Sequence, residues 1–342
     1  MDRDGFDVVL VVAKIAFRFS FEGKARLGYC PVRVNPEYFG GNMLFPDDMA
    51  ADKPGTDVGL IGVAHPVQHK GQRANTALAW LQVGTLKKIV QICGPRSYFS
   101  HVGSMVMTDP GPLAPTPLRF DHAFGGRGDD GSECAENPIG RGYTNNQRLL
   151  EGTLAPQLEP VHDPLRPADM PHPSHGAFGP IAAAWRPRRD HLGTRDHAYL
   201  QDRYPLPPTD FDPRANCWAV PGLHSPQPLQ GDEPIEVGGV LPEGIWRFKT
   251  PLYPMQFEYV MEGKDFSPPT HLDGLLIDAD KRVVELAYRT KIRLPRKWAK
   301  LEAIRALATQ KMPNEMLVKD EWPRPPVGVR RESEFAAAAA ER

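Results

Sequence analysis

Asp7-Val8-Val9-Leu10-Val11-Val12-Ala13-Lys14-Ile15-Ala16-Phe17-Arg18-Phe19-Ser20 decides the fold class. The run opens β-branched and then alternates, with Ile15, Phe17 and Phe19 on one side and Lys14, Ala16 and Arg18 on the other. Successive side chains leave a pleated backbone on opposite faces, so a period of two predicts a half-buried strand over residues 7–21. Its apolar part, residues 8–13, is far too short to cross a bilayer, which takes about 20 residues. The polar start, Met1-Asp2-Arg3-Asp4-Gly5-Phe6-Asp7, lacks the basic and apolar regions of a secretory signal.

Outward from this strand the same pattern recurs. Glu22-Gly23-Lys24 reads as a turn, and residues 25–34 as a returning strand. Further strands are predicted at 56–64, 77–83 and 86–94, then at 235–237, 244–248, 256–260, 272–278 and 283–289. Asp278-Ala279-Asp280-Lys281 is a hairpin turn between the last two. Short strands with glycine-containing breaks and no alternating helical pattern predict a mainly β fold, with sandwich-like antiparallel sheets. Residues 95–235 break the pattern: prolines recur every few residues and periodicity is weak, while Phe124, Phe178, Trp185, Phe211 and Trp218 imply that parts of the stretch pack. The expected organisation is a β-rich domain over 1–294, with a loop-rich insertion at about 95–235, followed by a C-terminal helix and flexible tail over 295–342. The helix is placed at 296–310, where Trp298, Leu301, Ile304 and Leu307 or Ala308 fall at helical spacing behind Pro295.

Composition narrows the function. The 342 residues carry 41 Lys+Arg against 42 Asp+Glu, without the basic excess typical of a nucleic-acid binder. The 31 Gly and 37 Pro stand well above the usual roughly 7% and 5%, and they predict many turns. Cys30, Cys93, Cys134 and Cys217 show no Cys-x-x-Cys pair and read as reduced thiols of a cytoplasmic protein.

No catalytic motif emerges. His65-x-x-x-His69 has the spacing of a helical zinc pair, but Pro66 interrupts it and no Glu follows the first His, so it reads as a loop. His162, His172, His175, His191 and His197 lie among Asp163, Asp169, Asp190 and Asp196, with no fixed metal-ligand spacing. They read as a solvated loop, with a metal-dependent hydrolase over 162–197 as the alternative. The Gly125–Gly131 loop lacks the Lys-Ser/Thr pair of a P-loop and reads as a tight turn. Gly-x-Ser-x-Gly is absent. A Cys–His dyad at Cys134 or Cys217 depends on space, not sequence. No catalytic residue, metal or cofactor is expected.

One ordered series of motifs remains. It runs from Val12-Ala13-Lys14-Ile15-Ala16-Phe17 through Lys53-Pro54-Gly55-Thr56-Asp57-Val58, Gly94-Pro95-Arg96-Ser97-Tyr98 and Pro117-Leu118-Arg119-Phe120-Asp121-His122-Ala123-Phe124-Gly125-Gly126. It continues with Asn137-Pro138-Ile139-Gly140-Arg141-Gly142-Tyr143, Gly179-Pro180-Ile181, Trp185-Arg186-Pro187-Arg188 and Asp210-Phe211-Asp212. Over residues 5–290 the series resembles a bacterial family first catalogued as a domain of unknown function and encoded beside type VI secretion genes. Pro95 departs from its pattern, where a more polar residue is expected. The resemblance implies a non-enzymatic adaptor, or chaperone, that binds a toxic effector and loads it onto the VgrG spike, with a PAAR-type tip protein as a further partner. Neither nucleic acid nor membrane is an expected partner. The residues themselves give Phe124, Gly125, Gly126, Asn137, Pro138, Gly140, Gly142 and Tyr143 a structural role, holding a long loop in one shape. Trp185, Tyr199, Tyr204 and Trp218 are the expected partner-binding aromatics. A structural component of the secretion apparatus is a third reading.

Overall fold

The structure, a computed structural model, describes residues 5–50, 52–65, 68–69, 72–161, 176–253, 255–294 and 300–308. Its principal strands are β1 (Val8–Phe19), β2 (Ala25–Gly28), β3 (Thr56–Ile61), β4 (Thr76–Val83), β5 (Leu86–Cys93), β6 (Leu158–Pro160) and β7 (His224–Ser225). They continue with β8 (Pro234–Leu241), β9 (Gly244–Lys249), β10 (Met255–Met261), β11 (Lys264–Phe266), β12 (His271–Asp278), β13 (Val283–Arg293) and β14 (Leu301–Ala308). A six-stranded sheet has the order β7-β3-β12-β13-β1-β2, and a five-stranded sheet the order β6-β5-β4-β8-β9. Pairing is antiparallel except between β3 and β12.

Alternation explains the core. In β1 and β13, Phe17 and Phe19 with Val284 and Leu286 join one apolar cluster. Val58, Leu60, Leu275 and Ile277 extend it along β3 and β12. Leu81, Val83, Val90, Ile92, Ile235, Val237 and Trp246 enter the same cluster from the five-stranded sheet. Each such side chain contributes about 1.5–3 kcal/mol on burial. The two sheets thus face each other as the layers of a sandwich.

A third sheet, β11-β10-β14, packs Phe257 and Tyr259 against Ile292 of β13 and against Val9, Val11 and Ala13 of β1. The opening apolar run therefore serves two cores, the first half on the third sheet and Phe17 and Phe19 on the sandwich.

Three expectations change in detail. The helix at 296–310 is not formed over its described part, because Leu301–Ala308 is a strand paired antiparallel to β10. Leu301, Ile304 and Leu307 make no buried stripe, and Ile304 and Leu307 are exposed. Tertiary pairing to β10 outweighs a local helix preference worth only tenths of a kcal/mol per residue. The strand at 25–34 ends at Gly28, and the chain then crosses the outer face of the six-stranded sheet, where Arg33 enters a buried ion-pair network. Residues 95–235 are irregular but far from peripheral. They supply β6 and β7 to the two sheets, and bury Phe120, Leu158, Phe178, Ile181 and Leu223 in the common core. Asp278–Lys281 makes the expected turn, with the Lys281 N–H donating to Asp278 Oδ1 at 3.0 Å.

Candidate functional site

The two most specific motifs meet in space. Phe124–Gly125 pairs in parallel with Arg141–Gly142. The Asn137 side-chain amide donates to the carbonyls of Phe120 and Phe124, both at 2.8 Å. The Gly126 N–H donates to the Asn137 carbonyl (2.8 Å), and the Tyr143 N–H to the Gly125 carbonyl (3.0 Å). Gly125 has a φ of +149°, and a Cβ there would lie 2.1 Å from the Asn137 carbonyl oxygen. At Gly140 it would lie 2.4 Å from Asn137 Nδ2. Pro138 restrains the backbone of Asn137, and Phe124 packs with Cys134, Tyr143 and Met107 beneath the loop. The arrangement is a clasp that fixes backbone shape. The neighbouring Asp130 accepts from the Ser132 amide and hydroxyl, as in a turn.

A layer of buried charge covers the outer face of the six-stranded sheet. Lys14 pairs with Asp48 (3.2 Å) and Glu285 (3.0 Å), and Arg33 grips Glu285 through both terminal nitrogens (2.6 and 3.1 Å). Burial pushes the Glu285 carboxyl up, but Arg33 and Lys14 outweigh it and hold it below its ordinary value. Farther along, Arg289 pairs with Asp273, and Lys53 donates to the Asp273 carbonyl at 2.7 Å.

Asp57, fully buried at the start of β3, is the hub. Its Oδ1 meets His224 Nδ1 at 2.9 Å, while Oδ2 accepts from Lys53 Nζ (2.9 Å) and the Trp218 backbone N–H (2.7 Å). Burial raises its pKa, yet Lys53 and these hydrogen bonds bring it below the usual carboxylate range. The Trp218 ring lies over Gly59, where a Cβ would come within 2.7 Å of it. Sequence reasoning missed this layer, although Lys14 inside an apolar run and Glu285 with Arg289 on one face of a strand were visible signs.

Cys217 completes the one group of three metal-capable side chains among the described residues, Asp57, Cys217 and His224, with donor atoms within 4.8 Å of one another. The Lys53 ammonium already supplies the positive charge that a cation would bring to Asp57. The Cys217 thiol is pushed up to about 12, by burial first and then by Asp57. It donates to the Pro54 carbonyl at 3.7 Å. The contacts of Asp57, Cys217 and His224 together hold residues 217–225 to the sheet.

The expected aromatic anchors divide. Trp185 (7% exposed) and Trp218 (5%) are core residues, the former edge-on to Phe120 at 5.3 Å, and burial leaves them no surface to offer a partner. Tyr199, on α1 (His197–Asp202), which Asp196 caps, is half-buried, and Tyr204, just after it, is 69% exposed. His191 lies 3.6 Å from Asp212. His162, His172 and His175 lie outside the described residues. His65 begins no helix, since residues 68–69 pair with 72–73 as strands.

A strip that the sequence did not reveal lies at 27–49. Leu27, Tyr29, Val32, Val34 (67%), Tyr38, Phe39 (59%) and Met49 are all exposed. Leu27 is on β2, the edge of the six-stranded sheet, and Tyr38 and Phe39 are on the hairpin strand Glu37–Phe39. The Asp48 N–H bonds the Arg33 carbonyl at 2.8 Å, tying Val32 and Val34 to Met49. The Arg119 guanidinium sits 5.0 Å from the Phe39 ring centroid.

These features all lie within one family match. Residues 4–289 match the model of a family described as an uncharacterized protein conserved in bacteria (DUF2169), and the chain belongs to that family. No curated protein and no solved structure matches it. No helix among the described residues is long and apolar enough to cross a membrane.

Proposed function

We propose that the protein is a non-enzymatic adaptor that binds a type VI secretion effector in the cytoplasm and helps seat it on the VgrG spike, with a PAAR-type tip protein as a further partner. The observation that carries the binding role is the exposed strip at 27–49. Protein interfaces concentrate their energy in aromatic anchors surrounded by a polar rim. Tyr29, Tyr38 and Phe39 supply the anchors, while Glu37 and Arg119 supply rim charges. The type VI assignment rests on the motif resemblance.

Deletion of the gene in its own bacterium tests this reading. Without the chain, the effector encoded beside it disappears from the culture medium while VgrG is still exported. Unchanged effector export contradicts the proposal.

A further inference from the structure

β1 has an open edge. It pairs with β13 from Val8 to Arg18, but β2 meets it only at Ala16–Phe19. The Phe19 N–H donates to the Arg282 carbonyl, and the Asp7 carbonyl accepts the Leu294 N–H. Direction alternates along an antiparallel ladder. Odd-numbered residues of β1 therefore turn their backbone groups toward β13, and even-numbered ones turn theirs away. Ala16 and Arg18 find β2 there. On that side the N–H and C=O groups of Val8, Leu10, Val12 and Lys14 have no hydrogen-bond partner among the described residues.

Edge strands are ordinarily blunted by a proline, a bulge or a charge that keeps a further strand away. The run Val8–Ala13 carries none of these, and its register with β13 has no shift. All six residues are half-buried. Val9, Val11 and Ala13 lie on the core of the third sheet, while Val8, Leu10 and Val12 share the opposite face with Lys14. Because both faces are apolar here, a strand that fits this edge is uncharged on both of its own faces. Val8–Ala13 is itself such a strand.

We infer that β1 pairs antiparallel with β1 of a second copy of this chain, about a two-fold axis at Leu10, and joins two six-stranded sheets into one. Such an interface is isologous, so each edge must complement itself. With the axis at Leu10, Val8 opposes Val12 and Val9 opposes Val11, apolar against apolar on both faces. Asp7 opposes Ala13, so the charges that bracket the run, Asp7 and Lys14, do not meet their own kind. Even-numbered residues oppose even-numbered ones, which lets Val8, Leu10 and Val12 of the two chains exchange about six backbone hydrogen bonds. The paired window ends at Val12, short of Ala16, where β2 begins to pair. The contact uses neither Tyr38 nor Phe39 and stands whether or not the adaptor reading does.

Sedimentation velocity and amide hydrogen exchange of the full chain test the inference. At micromolar concentration the wild type sediments as two chains. Leu10→Lys and Leu10→Glu each set like charges against one another on the axis and sediment as single chains. An equimolar mixture of the two variants restores the two-chain species. In the wild type, the Leu10 and Val12 amides lose at least about tenfold of their protection on dilution to single chains, while those of Val9 and Val11, bonded to β13, do not change. That exchange pattern decides alone should either variant fail to fold. A single-chain wild type, a two-chain species in folded Leu10→Lys and Leu10→Glu, or no restoration on mixing overturns the inference. So does protection of Leu10 and Val12 that ignores concentration, the result of a segment of the same chain lying on the edge.

Discussion

Asp57 shows how one buried carboxylate organises its surroundings. It neutralises Lys53, orients His224 and accepts the Trp218 N–H, so three chain segments converge on two oxygens. Replacing it with Asn leaves the Lys53 ammonium buried without a counter-charge, and loss of one partner of such a pair costs about 3–5 kcal/mol. Urea unfolding of Asp57→Asn is expected to show that loss, and a cost under about 1 kcal/mol would remove Asp57 from its central place. The pH dependence follows from the same shift. Asp57 and Glu285 both have folded pKa values below their ordinary ones, which are roughly 3.9 and 4.3. Their stabilisation is therefore complete above about pH 4–5 and is lost as the pH falls through the lowered folded values. Urea midpoints should drop steeply on acidification below about pH 4, and less steeply in Asp57→Asn. The thiols give a third expectation. Burial raises Cys30 and Cys217 to about 12, and Cys93 and Cys134 to about 11. Buried Cys30, Cys93 and Cys134 should react with a thiol reagent at pH 7 only as the protein unfolds, whereas rapid labelling of any of these three in the native protein would contradict the burial described.

At the scale of elements, the clasp between residues 120–126 and 137–143 fixes the long irregular stretch. The Asn137 side chain serves two buried carbonyls at once, and the Phe120 carbonyl also accepts the Ala123 N–H at 3.1 Å. Losing a hydrogen-bond partner at a buried group costs about 1–3 kcal/mol, so Asn137→Ala should destabilise by about 1–3 kcal/mol in chemical denaturation. The motifs themselves were legible because glycine and Asn-Pro have few uses besides sharp, restrained backbone. Their meeting was not, because nothing in a linear sequence pairs Phe124–Gly125 with Arg141–Gly142. The strands were legible for a similar local reason: alternation in β1, β4, β5, β12 and β13 is set by a pleat that every strand shares. The strand at Leu301–Ala308 was not. Its Leu, Ala, Glu and Arg residues favour a helix in isolation, and only the open edge of β10 selects the extended form.

Across the whole molecule, the sandwich could be read from pattern, but the buried charged layer and the exposed strip could not. Lys14, Asp57 and the strands carrying Asp273, Glu285 and Arg289 lie far apart in the chain, and the sheet order brings them together. Tryptophan in a loop suggests a surface anchor, yet Trp185 and Trp218 fold inward because the loops that carry them form one wall of the core. A run of exposed apolar residues lies instead on the segment leaving the edge strand β2, where Cys30 and Arg33 point in and their neighbours point out. Aromatic and β-branched side chains on that segment make it the surface from which the adaptor reading follows. The direct measurement is affinity purification of the tagged full chain from its own bacterium, comparing the wild type with a Tyr38→Ser/Phe39→Ser variant of matched unfolding midpoint. The account predicts that VgrG and the neighbouring effector copurify with the wild type and are reduced at least about tenfold with the variant, the loss expected when anchors worth about 1.4 kcal/mol or more are removed. Equal recovery with both chains, or recovery of neither protein above an untagged control, would contradict it.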